Sequence, residues 1–336
     1  MKQPQSKSFV NAQQVADLAG VSRSAVSRTF TDGASVSSQT RKKVMSAAEE
    51  LGYQVNHLAR GLMNRRSKIV CIISSDIDAP YQGKFIETLT RQLQATGNVA
   101  MLVNASGDTG LENAMNLTLQ YRADASIVLS GQPKQKLIEN CISNRQRVIV
   151  VNRDQAVLGT ENIVVSNRSS AREAFHMLHR VGCRKLAFVT SSLGTPSLIL
   201  RETAFVEEAR SLGVEVSIAR EGSTTYATGA EIARKLFSRQ SRPDGVFCVT
   251  DIMACGFIDV ARTEFGISIP DELCVVGFDN IEQSGWSAYN LTTFRQPLED
   301  ISTYIASLVG DVPSEYTNEP VQFFAEPVWR RSVRAK

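Results

Sequence analysis

The sequence has no long run of apolar residues. Its apolar runs, such as IVCII at 69–73 and VIVV at 148–151, are far shorter than the roughly 20 residues that a membrane-spanning helix needs. The opening segment, MKQPQSKSFV, contains no apolar stretch of the kind that secretory signals carry. These absences argue against a membrane protein and favour a cytoplasmic one.

Residues that build metal and redox sites are also scarce. The chain has six cysteines and no CxxC pair, and Cys71, Cys248 and Cys274 lie inside apolar strand-like runs, which indicates reduced, buried thiols. Only three histidines occur. His176 and His179 have no third ligand of a suitable type nearby, so a solvated helix face explains them better than a metal site. We expect neither a metal nor a cofactor.

Motifs of enzymes are missing as well. The sequence contains no GxxxxGK[ST] loop for phosphates, no GxGxxG and no GxSxG nucleophile elbow. Asp76 and Asp78 follow a strand-like run, where capping of a loop explains them better than acid–base chemistry. We therefore predict that the protein has no catalytic residues and is not an enzyme.

Positive charge is concentrated at one end of the chain. Residues 1–68 contain eleven Lys/Arg and four Asp/Glu, whereas the whole chain, with 37 and 34, has a net charge of +3. The rest of the chain is therefore mildly acidic. A compact basic module ahead of an acidic body is the charge pattern of nucleic-acid binding, and a merely solvated basic surface is the alternative.

The basic segment has the pattern of three short helices. Asn11 is a candidate N-cap for a helix over 12–19, Gly20 is its stop, and Ser22 is a candidate cap for a second helix. A third helix is predicted between a serine cap, Ser37 or Ser38, and a glycine stop. Two helices joined by a tight glycine turn and braced by a third form a helix-turn-helix.

The second of these helices has one apolar and one polar face. Val26 and Phe30, four residues apart, point inward, so the arginines and serines between them point outward. In a helix-turn-helix this outward face lies in the major groove, where arginine reads guanine and serine contacts phosphate. The residues predicted to contact DNA here are Ser22, Arg23, Ser24, Ser27 and Arg28.

The remainder of the chain alternates apolar strand-like runs with helical segments, in two series. The predicted strands are 68–74, 99–104, 125–130, 147–151, 185–190, 214–219, 245–250 and 273–278. Such alternation predicts an α/β body of two lobes, each with a doubly wound parallel sheet. Ligands of these sheets bind beyond the carboxyl ends of the strands, so the cleft between the lobes is the expected site.

Both parts of the chain resemble the lac repressor (LacI/GalR) family. VADLAGVSRSAVSRTF at 15–30 is similar to the family's DNA-binding head, NHLARGL at 56–62 to its hinge helix, and VVGFDN and LTTFRQP to motifs of its effector-binding body. The resemblance implies an all-α head and a periplasmic-binding-protein-like body. The implied boundaries are a helix-turn-helix domain at 1–55, a hinge helix or linker at 56–67, a first lobe at 68–166 and 297–319, and a second lobe at 167–296 and 320–336.

The hinge would supply a second set of DNA contacts. The family's hinge leucine, which wedges into the minor groove at the operator centre, matches Leu62. Two residues depart from the family: Val55 replaces a usual proline, and Gly61 disfavours helix by about 1 kcal/mol relative to alanine. A plain interdomain linker is the alternative. The other hinge residues that the resemblance assigns to DNA are Asn56, His57 and Arg60.

The resemblance also assigns residues to an effector in the cleft. Arg201 matches the family arginine that grips the effector, and Asp279 matches the carboxylate that accepts from its hydroxyl or amine groups. The other implied contacts are Tyr81, Gln82, Asn152, Arg153, Thr250 and Asp251. Asp251 has an alternative role as a simple helix cap. An arginine, a carboxylate and amide and aromatic neighbours together suit a polyol.

One position in the cleft departs from the family pattern. Thr224, in the segment GSTTYATG, stands where the family has an aromatic ring that stacks on the effector. We expect either that the stacking partner is absent or that Tyr226 or Trp286 replaces it.

Together these observations predict a ligand-responsive, sequence-specific transcriptional regulator that acts as a repressor. Its expected partners are a near-palindromic double-stranded DNA operator, a small polar effector such as a sugar or sugar derivative, and further copies of itself in a homodimer or tetramer. A sugar-binding protein of the periplasmic type without a DNA role is the alternative, which the basic head disfavours. A sugar-processing α/β enzyme is a third hypothesis, disfavoured by the missing nucleophile and metal ligands.

Overall fold

The computed structural model describes residues 9–31, 33–56, 66–152, 158–309 and 319–335. The chain divides into two compact units, residues 1–67 and residues 68–336. Within the described ranges no helix is both long and apolar enough to cross a membrane.

The first unit contains the three predicted helices. They are α1 (Ala12–Ala19), α2 (Arg23–Thr29) and α3 (Ser38–Leu51). The Asn11 side chain accepts hydrogen bonds from two backbone N–H groups at the start of α1, and Gly20 ends that helix with φ 63°, a left-handed conformation that favours glycine. Of the two candidate serines, Ser37 is the one that caps α3.

A single small core holds these helices together. Helices of 7 to 14 residues are marginal alone in water, so their stability depends on the apolar faces that they share. The rings of Phe30 and Tyr53, 5.5 Å apart, close one side of this core. Its fully buried members are Val15, Ala16, Val26, Val44, Ala47 and Ala48.

The second unit begins with a six-stranded parallel sheet, which forms the first lobe. Its strands are β1 (Ile69–Ser74), β2 (Val99–Asn104), β3 (Ala125–Val128), β4 (Arg147–Val151), β5 (Glu161–Val165) and β11 (Val321–Phe323), in the order β11-β5-β4-β3-β1-β2. Its helices are α4 (Pro80–Ala95), α5 (Gly110–Gln120), α6 (Gln135–Ser143) and α11 (Leu298–Leu308). Apolar side chains of α4 and α11 pack on one face of the sheet, and those of α5 and α6 on the other.

The second lobe contains a four-stranded parallel sheet. Its strands are β6 (Leu186–Ser191), β7 (Val216–Glu221), β8 (Gly245–Cys248) and β9 (Cys274–Val276), in the order β7-β6-β8-β9. Four helices pack against it: α7 (Asn167–Arg180), α8 (Pro196–Ser211), α9 (Tyr226–Phe237) and α10 (Asp251–Thr263). An antiparallel ribbon of β10 (Thr293–Arg295) and β12 (Glu326–Val328) adjoins this lobe. The predicted two-lobed parallel architecture is thus confirmed.

One predicted boundary between the lobes is wrong. Residues 320–336 were assigned to the second lobe, but strand β11 pairs in parallel with β5 at the edge of the first lobe's sheet. The chain therefore crosses for the last time after Phe323 and enters the second lobe through β12. The sequence could not show this, because three residues are too few to display the alternating pattern of a strand. Strand β11 forms because its backbone hydrogen-bonds to β5.

Candidate functional site

The polar face predicted on α2 is exposed. Ser22 caps the helix, with its Oγ 3.2 Å from the Ala25 backbone N, and Ala25, Val26 and Thr29 form the buried side. Every residue predicted to contact DNA on this helix lies on the solvent side: Ser22, Arg23, Ser24, Ser27 and Arg28.

Contacts at the end of α2 fix its orientation in the first unit. The Arg41 guanidinium, from α3, donates to the Thr29 carbonyl at 2.9 Å. The Arg28 Nε lies 3.4 Å from the Ser24 carbonyl, so part of this side chain runs back along the helix. Among the described residues, the Arg23 side chain makes no such hydrogen bond to a backbone carbonyl. A short helix pinned by α3, with two exposed arginines, is suited to insertion into a DNA groove.

Only part of the predicted hinge falls within the described residues. Asn56 is exposed at the end of the first unit. His57, Arg60 and Leu62 lie outside the described residues, as does Arg153 of the predicted effector site.

The second unit has a change of strand order in each lobe. In the first lobe β2 and β3 lie on opposite sides of β1, and in the second β7 and β8 lie on opposite sides of β6. Such a reversal opens a crevice at the carboxyl ends of the strands. Gln82 occupies this position in the first lobe, where its Nε2 donates to the hydroxyls of Ser74 at 2.6 Å and Ser130 at 3.4 Å.

Arg201, on α8, is a buried cation with only part of its hydrogen-bonding capacity used. Its Nε donates to Asn167 Oδ1 at 2.9 Å and its Nη1 to the Val249 carbonyl at 2.5 Å, and the side chain lies over the Phe278 ring. Burial lowers the pKa of the guanidinium, whereas Asp279 and Tyr81 act in the opposite direction. No contact among the described residues uses its Nη2, which remains available to a ligand.

Asp279 supplies the opposite charge. It follows β9 with φ 119°, an unusual backbone conformation held by its N–H bond to the Phe294 carbonyl. Burial raises the pKa of its carboxyl to about 8, although Arg201 and a hydrogen bond from Gln296 lower it. No direct ion pair joins Arg201 and Asp279 among the described side chains, so neither group uses up the hydrogen-bonding capacity of the other.

A chain of polar side chains connects the two lobes. The Tyr81 hydroxyl, at the start of α4 in the first lobe, donates to Gln296 Oε1 at 2.8 Å, and Gln296 Nε2 donates to Asp279 Oδ1 at 2.8 Å. Asn152 also hydrogen-bonds to Tyr81. Burial and the nearby Asp279 raise the pKa of the tyrosine. Tyr81, Asn152, Asp279 and Arg201 thus belong to one cluster, as the resemblance implies.

Gln296 is a residue of this cluster that the sequence patterns do not predict. It is 5% exposed and lies between β10 and α11, on one of the segments that cross between the lobes. Its position within LTTFRQP, a segment similar to the family, was the available signal. The motif could not show that Gln296 hydrogen-bonds to Tyr81, because Tyr81 is distant in sequence.

Thr250 and Asp251 follow β8 and differ in their surroundings. The Thr250 hydroxyl is buried and has no hydrogen-bond partner among the described residues. The Asp251 carboxylate is fully buried, and its oxygens accept from the Thr293 hydroxyl at 2.6 Å and the Ile281 backbone N–H at 3.0 Å. Burial raises the pKa of Asp251 to about 6, while these two hydrogen bonds lower it. Both bonds hold segments that flank Asp279.

Neither Tyr226 nor Trp286, the two rings predicted to replace an aromatic at Thr224, contacts the effector cluster among the described residues. The Thr224 hydroxyl donates to Ser191 Oγ at 3.0 Å. The Tyr226 hydroxyl donates to Asp259, and the Trp286 ring stacks at 6.5 Å on that of Tyr289. None of these described contacts involves Arg201 or Asp279.

Comparison with known proteins identifies the family. A model of the lacI family of bacterial regulatory proteins matches residues 12–56, and a model of the periplasmic binding protein-like domain matches residues 175–333. A sucrose operon repressor of Pediococcus pentosaceus is 30% identical over 303 residues, which cover 88% of this chain and 90% of the relative. The chain belongs to the lacI family. Another relative, the repressor PurR of Mannheimia succiniciproducens, is 26% identical and covers 96% of this chain and 98% of its own.

Solved structures of lacI-family proteins share the fold. The operator-bound lac repressor dimer matches with a TM-score of 0.87 at 21% identity, over 98% of this chain and 100% of that one. The regulator CelR in complex with cellobiose matches with a TM-score of 0.68 at 25% identity, over 96% and 99%. This lacI-family chain is therefore a transcriptional regulator with a DNA-binding head and an effector-binding body. A sugar-binding protein without a DNA role does not account for the head.

Proposed function

We propose that this lacI-family regulator is a repressor whose operator affinity is controlled by a small polar effector bound between the lobes. One observation carries the proposal. The buried guanidinium of Arg201 and the carboxyl of Asp279 belong to one cluster without forming an ion pair with each other. A buried cation and a buried carboxyl whose hydrogen-bonding capacity is only partly used are costly unless a ligand completes their hydrogen bonds.

The chemistry of the cluster favours a hydroxyl-rich ligand. Arg201 offers donors, Asp279 an acceptor, and Gln82, Asn152 and Tyr81 offer side chains that can donate or accept. Such directional groups discriminate among sugar hydroxyls. Two similar proteins support this choice by their names: a sucrose operon repressor and a CelR–cellobiose complex. Since Tyr226 and Trp286 make their described contacts elsewhere, we expect hydrogen bonds to provide most of the affinity.

We assign the predicted residues of the cleft two roles. Direct contact with the effector is proposed for Tyr81, Gln82, Asn152, Arg153, Arg201, Thr250 and Asp279. Asp251 is proposed as a positioning residue, because its oxygens are already hydrogen-bonded to Thr293 and Ile281. The unpartnered Thr250 hydroxyl supports a polar ligand group at that position.

On the DNA side we propose that α2 reads the major groove and that the hinge contacts the minor groove. The reading residues are those of the exposed α2 face, with Asn56, His57, Arg60 and Leu62 added by the hinge. The operator-bound dimer among the similar structures supports a homodimer and hence a near-palindromic operator. We place this regulator in the cytoplasm, where its operator is.

A two-step experiment tests the proposal. Selection from a randomised duplex library first identifies the operator, and a thermal-shift screen of sugars, sugar phosphates and purines then identifies ligands that bind only the folded chain. We expect at least one hydroxyl-rich ligand to raise the melting temperature and to change operator affinity. A regulator that selects an operator but never responds to any bound ligand would contradict the effector half of the proposal. Weighing the operator complex by light scattering distinguishes a dimer from a tetramer.

A further inference from the structure

Two cysteines of the second lobe lie side by side, far from the effector cluster in the fold. Cys183 lies between α7 and β6, and Cys274 is the first residue of β9. Both side chains are fully buried. The Cys183 S–H donates to the Asp244 carbonyl at 3.3 Å and the Cys274 S–H to the Pro270 carbonyl at 3.6 Å, and the two thiols also lie within hydrogen-bond range of each other. The chain thus brings together two sulfur atoms that are widely separated in sequence.

A glycine makes this approach possible. Gly245 pairs with Cys274 in the register of β8 and β9. A Cβ at Gly245 would lie 2.9 Å from the Cys183 Cβ and 3.1 Å from its Sγ. Because Gly245 has no side chain, Cys183 can occupy the space beside it, next to the strand that carries Cys274. Any larger residue at 245 would displace the Cys183 side chain from this position.

Arg334 contacts both sulfur atoms. Its backbone N lies 3.5 Å from the Cys274 Sγ, and its Nη2 lies 3.2 Å from the Cys183 Sγ. The side chain is held in place by the carbonyls of Pro270 and Asp271, at 3.2 and 2.8 Å. A guanidinium and a backbone N–H beside a thiol stabilise its thiolate, which is the reactive form.

The surroundings distinguish Cys274 from the other thiols. The interaction with Cys183, together with the backbone N–H and charge of Arg334, lowers the pKa of Cys274 below that of an ordinary thiol. Burial raises the pKa of Cys141 to about 11 and that of Cys255 to about 12. The same interaction and burial raise the pKa of Cys183. One member of the pair is thus the better nucleophile and the other keeps its proton.

A solvent-filled groove lies next to the residues that adjoin Cys183 and Cys274. The groove has a volume of about 830 Å³, and Val181, Pro270 and Arg334, which adjoin the two cysteines, are among its lining residues. Trp329, at the other end of the same C-terminal segment, also lines it and is half-exposed. The groove therefore ends at Arg334, the residue that contacts both sulfur atoms.

We propose that Cys183 and Cys274 form a redox-active pair that closes into a disulfide when the protein meets a hydroperoxide. The Cys274 thiolate attacks one peroxide oxygen, the O–O bond breaks, and a sulfenic acid forms with release of hydroxide, which becomes water on taking up a proton. The Cys183 sulfur then attacks the Cys274 sulfur, the S–O bond breaks, and the hydroxyl leaves as water with the Cys183 proton. Two thiols are oxidised by two electrons, and hydrogen peroxide is reduced to two molecules of water.

Peptide mapping of the reduced full-length chain tests this pairing. The folded protein is treated with hydrogen peroxide, the peroxide is removed, the chain is unfolded in guanidinium chloride with N-ethylmaleimide to block its remaining thiols, and it is digested with trypsin without reductant. We expect the peptide 181–184, VGCR, joined to the peptide 263–295, with a mass equal to their sum less two hydrogen atoms. Treatment with dithiothreitol should separate them. Circular dichroism before digestion verifies that the chain stays folded during oxidation.

Three serine variants provide the controls. C183S and C274S should each abolish the joined peptide, and C183S should leave a sulfenic acid on Cys274 that dimedone traps. C141S, which removes another fully buried thiol, should leave the joined peptide unchanged. Recovery of both Cys183 and Cys274 as N-ethylmaleimide adducts after peroxide treatment of the wild-type chain would overturn the proposal, as would equal pairing of Cys274 with other cysteines. Because the wild-type map decides this alone, a variant that fails to fold does not affect the outcome.

Discussion

The guanidinium carbon of Arg201 lies 3.7 Å from the centroid of the Phe278 ring. The ring attracts the cation through its π face and leaves the charge unneutralised. The next residue in the chain is Asp279, so one short segment after β9 supplies both the support for Arg201 and the opposite charge. A ligand that enters the cleft therefore meets a donor and an acceptor that the same segment positions.

Replacing Arg201 should uncouple effector binding from DNA binding. In Arg201→Met the side chain keeps an unbranched apolar stem but loses the donors, so we expect about 10- to 100-fold weaker effector binding, the equivalent of one or two charge-assisted hydrogen bonds. Operator affinity without effector should remain. Arg210→Met, on the exposed side of the same helix, is the matched control. Calorimetric titration measures the first property and a gel shift the second; a normal response from Arg201→Met would place the effector elsewhere.

The raised pKa of Asp279 should make the effector-free protein less stable as pH rises. The folded state retains a proton up to its pKa of about 8, whereas the unfolded chain loses it near the ordinary value of 3.8, so the free energy of unfolding falls between these values. From about pH 6 to pH 8.5 we expect a loss on the order of 2 kcal/mol that Asp279→Asn does not show. Urea denaturation at several pH values measures it. Equal pH dependence of the wild-type chain and the variant would contradict the prediction.

Effector binding should release a proton near neutral pH. Ligand hydroxyls donate to the ionised carboxylate of Asp279, so binding lowers its pKa, and affinity should increase as pH rises from about 6 to about 8. Calorimetric titrations at pH 7 in buffers of different ionisation enthalpy count the protons released. Asp279→Asn serves as the control, since it should abolish the buffer dependence. Proton uptake by the wild-type chain would show that the ligand does not donate to an ionised Asp279 carboxylate.

Arg23 should contribute sequence preference rather than general DNA affinity. Its side chain is exposed on α2, so Arg23→Ala should cost about 1–3 kcal/mol of discrimination between the operator and variants at one base pair while retaining much of the non-specific binding. Lys43→Ala, an exposed lysine on α3, is the control and should leave the preference unchanged. Binding to a randomised operator library measures both. An unchanged preference in Arg23→Ala would remove this residue from the reading set.

The hinge prediction rests on sequence alone, because residues 57–65 lie outside the described ranges. Helices shorter than about 12–15 residues are marginal in water, so residues 56–64 should exchange amide hydrogens rapidly in the free protein and slowly on the operator. Leu62→Ala should lower operator affinity and bending sharply, because the leucine would open the central base step. Effector affinity measured without DNA should stay the same. Full protection in the free protein would mean a preformed hinge and would remove this coupling mechanism.

Local sequence patterns determined most of the regular structure. Helix α1 has a cap and a stop within one or two turns of chain, at Asn11 and Gly20, so neighbouring residues suffice to predict it. The apolar runs of β1, β4, β6 and β8 are buried on both faces, which makes each strand visible without knowledge of its partners. The exposed arginines of α2 follow from the helical period alone.

Tertiary structure alone decided which distant residues meet. The strands β10, β11 and β12 have three residues each, too few for a period, and they exist because another strand offers hydrogen bonds at that place. Gln296 joins Tyr81 to Asp279, and Cys183 reaches Cys274 over Gly245, through pairings of residues widely separated in the chain. The same holds for Asp251, whose buried contacts with Thr293 and Ile281 indicate a positioning role that its place after a strand did not reveal. Sequence specifies what each segment prefers to form, whereas the partners of a buried polar group depend on how all the segments pack.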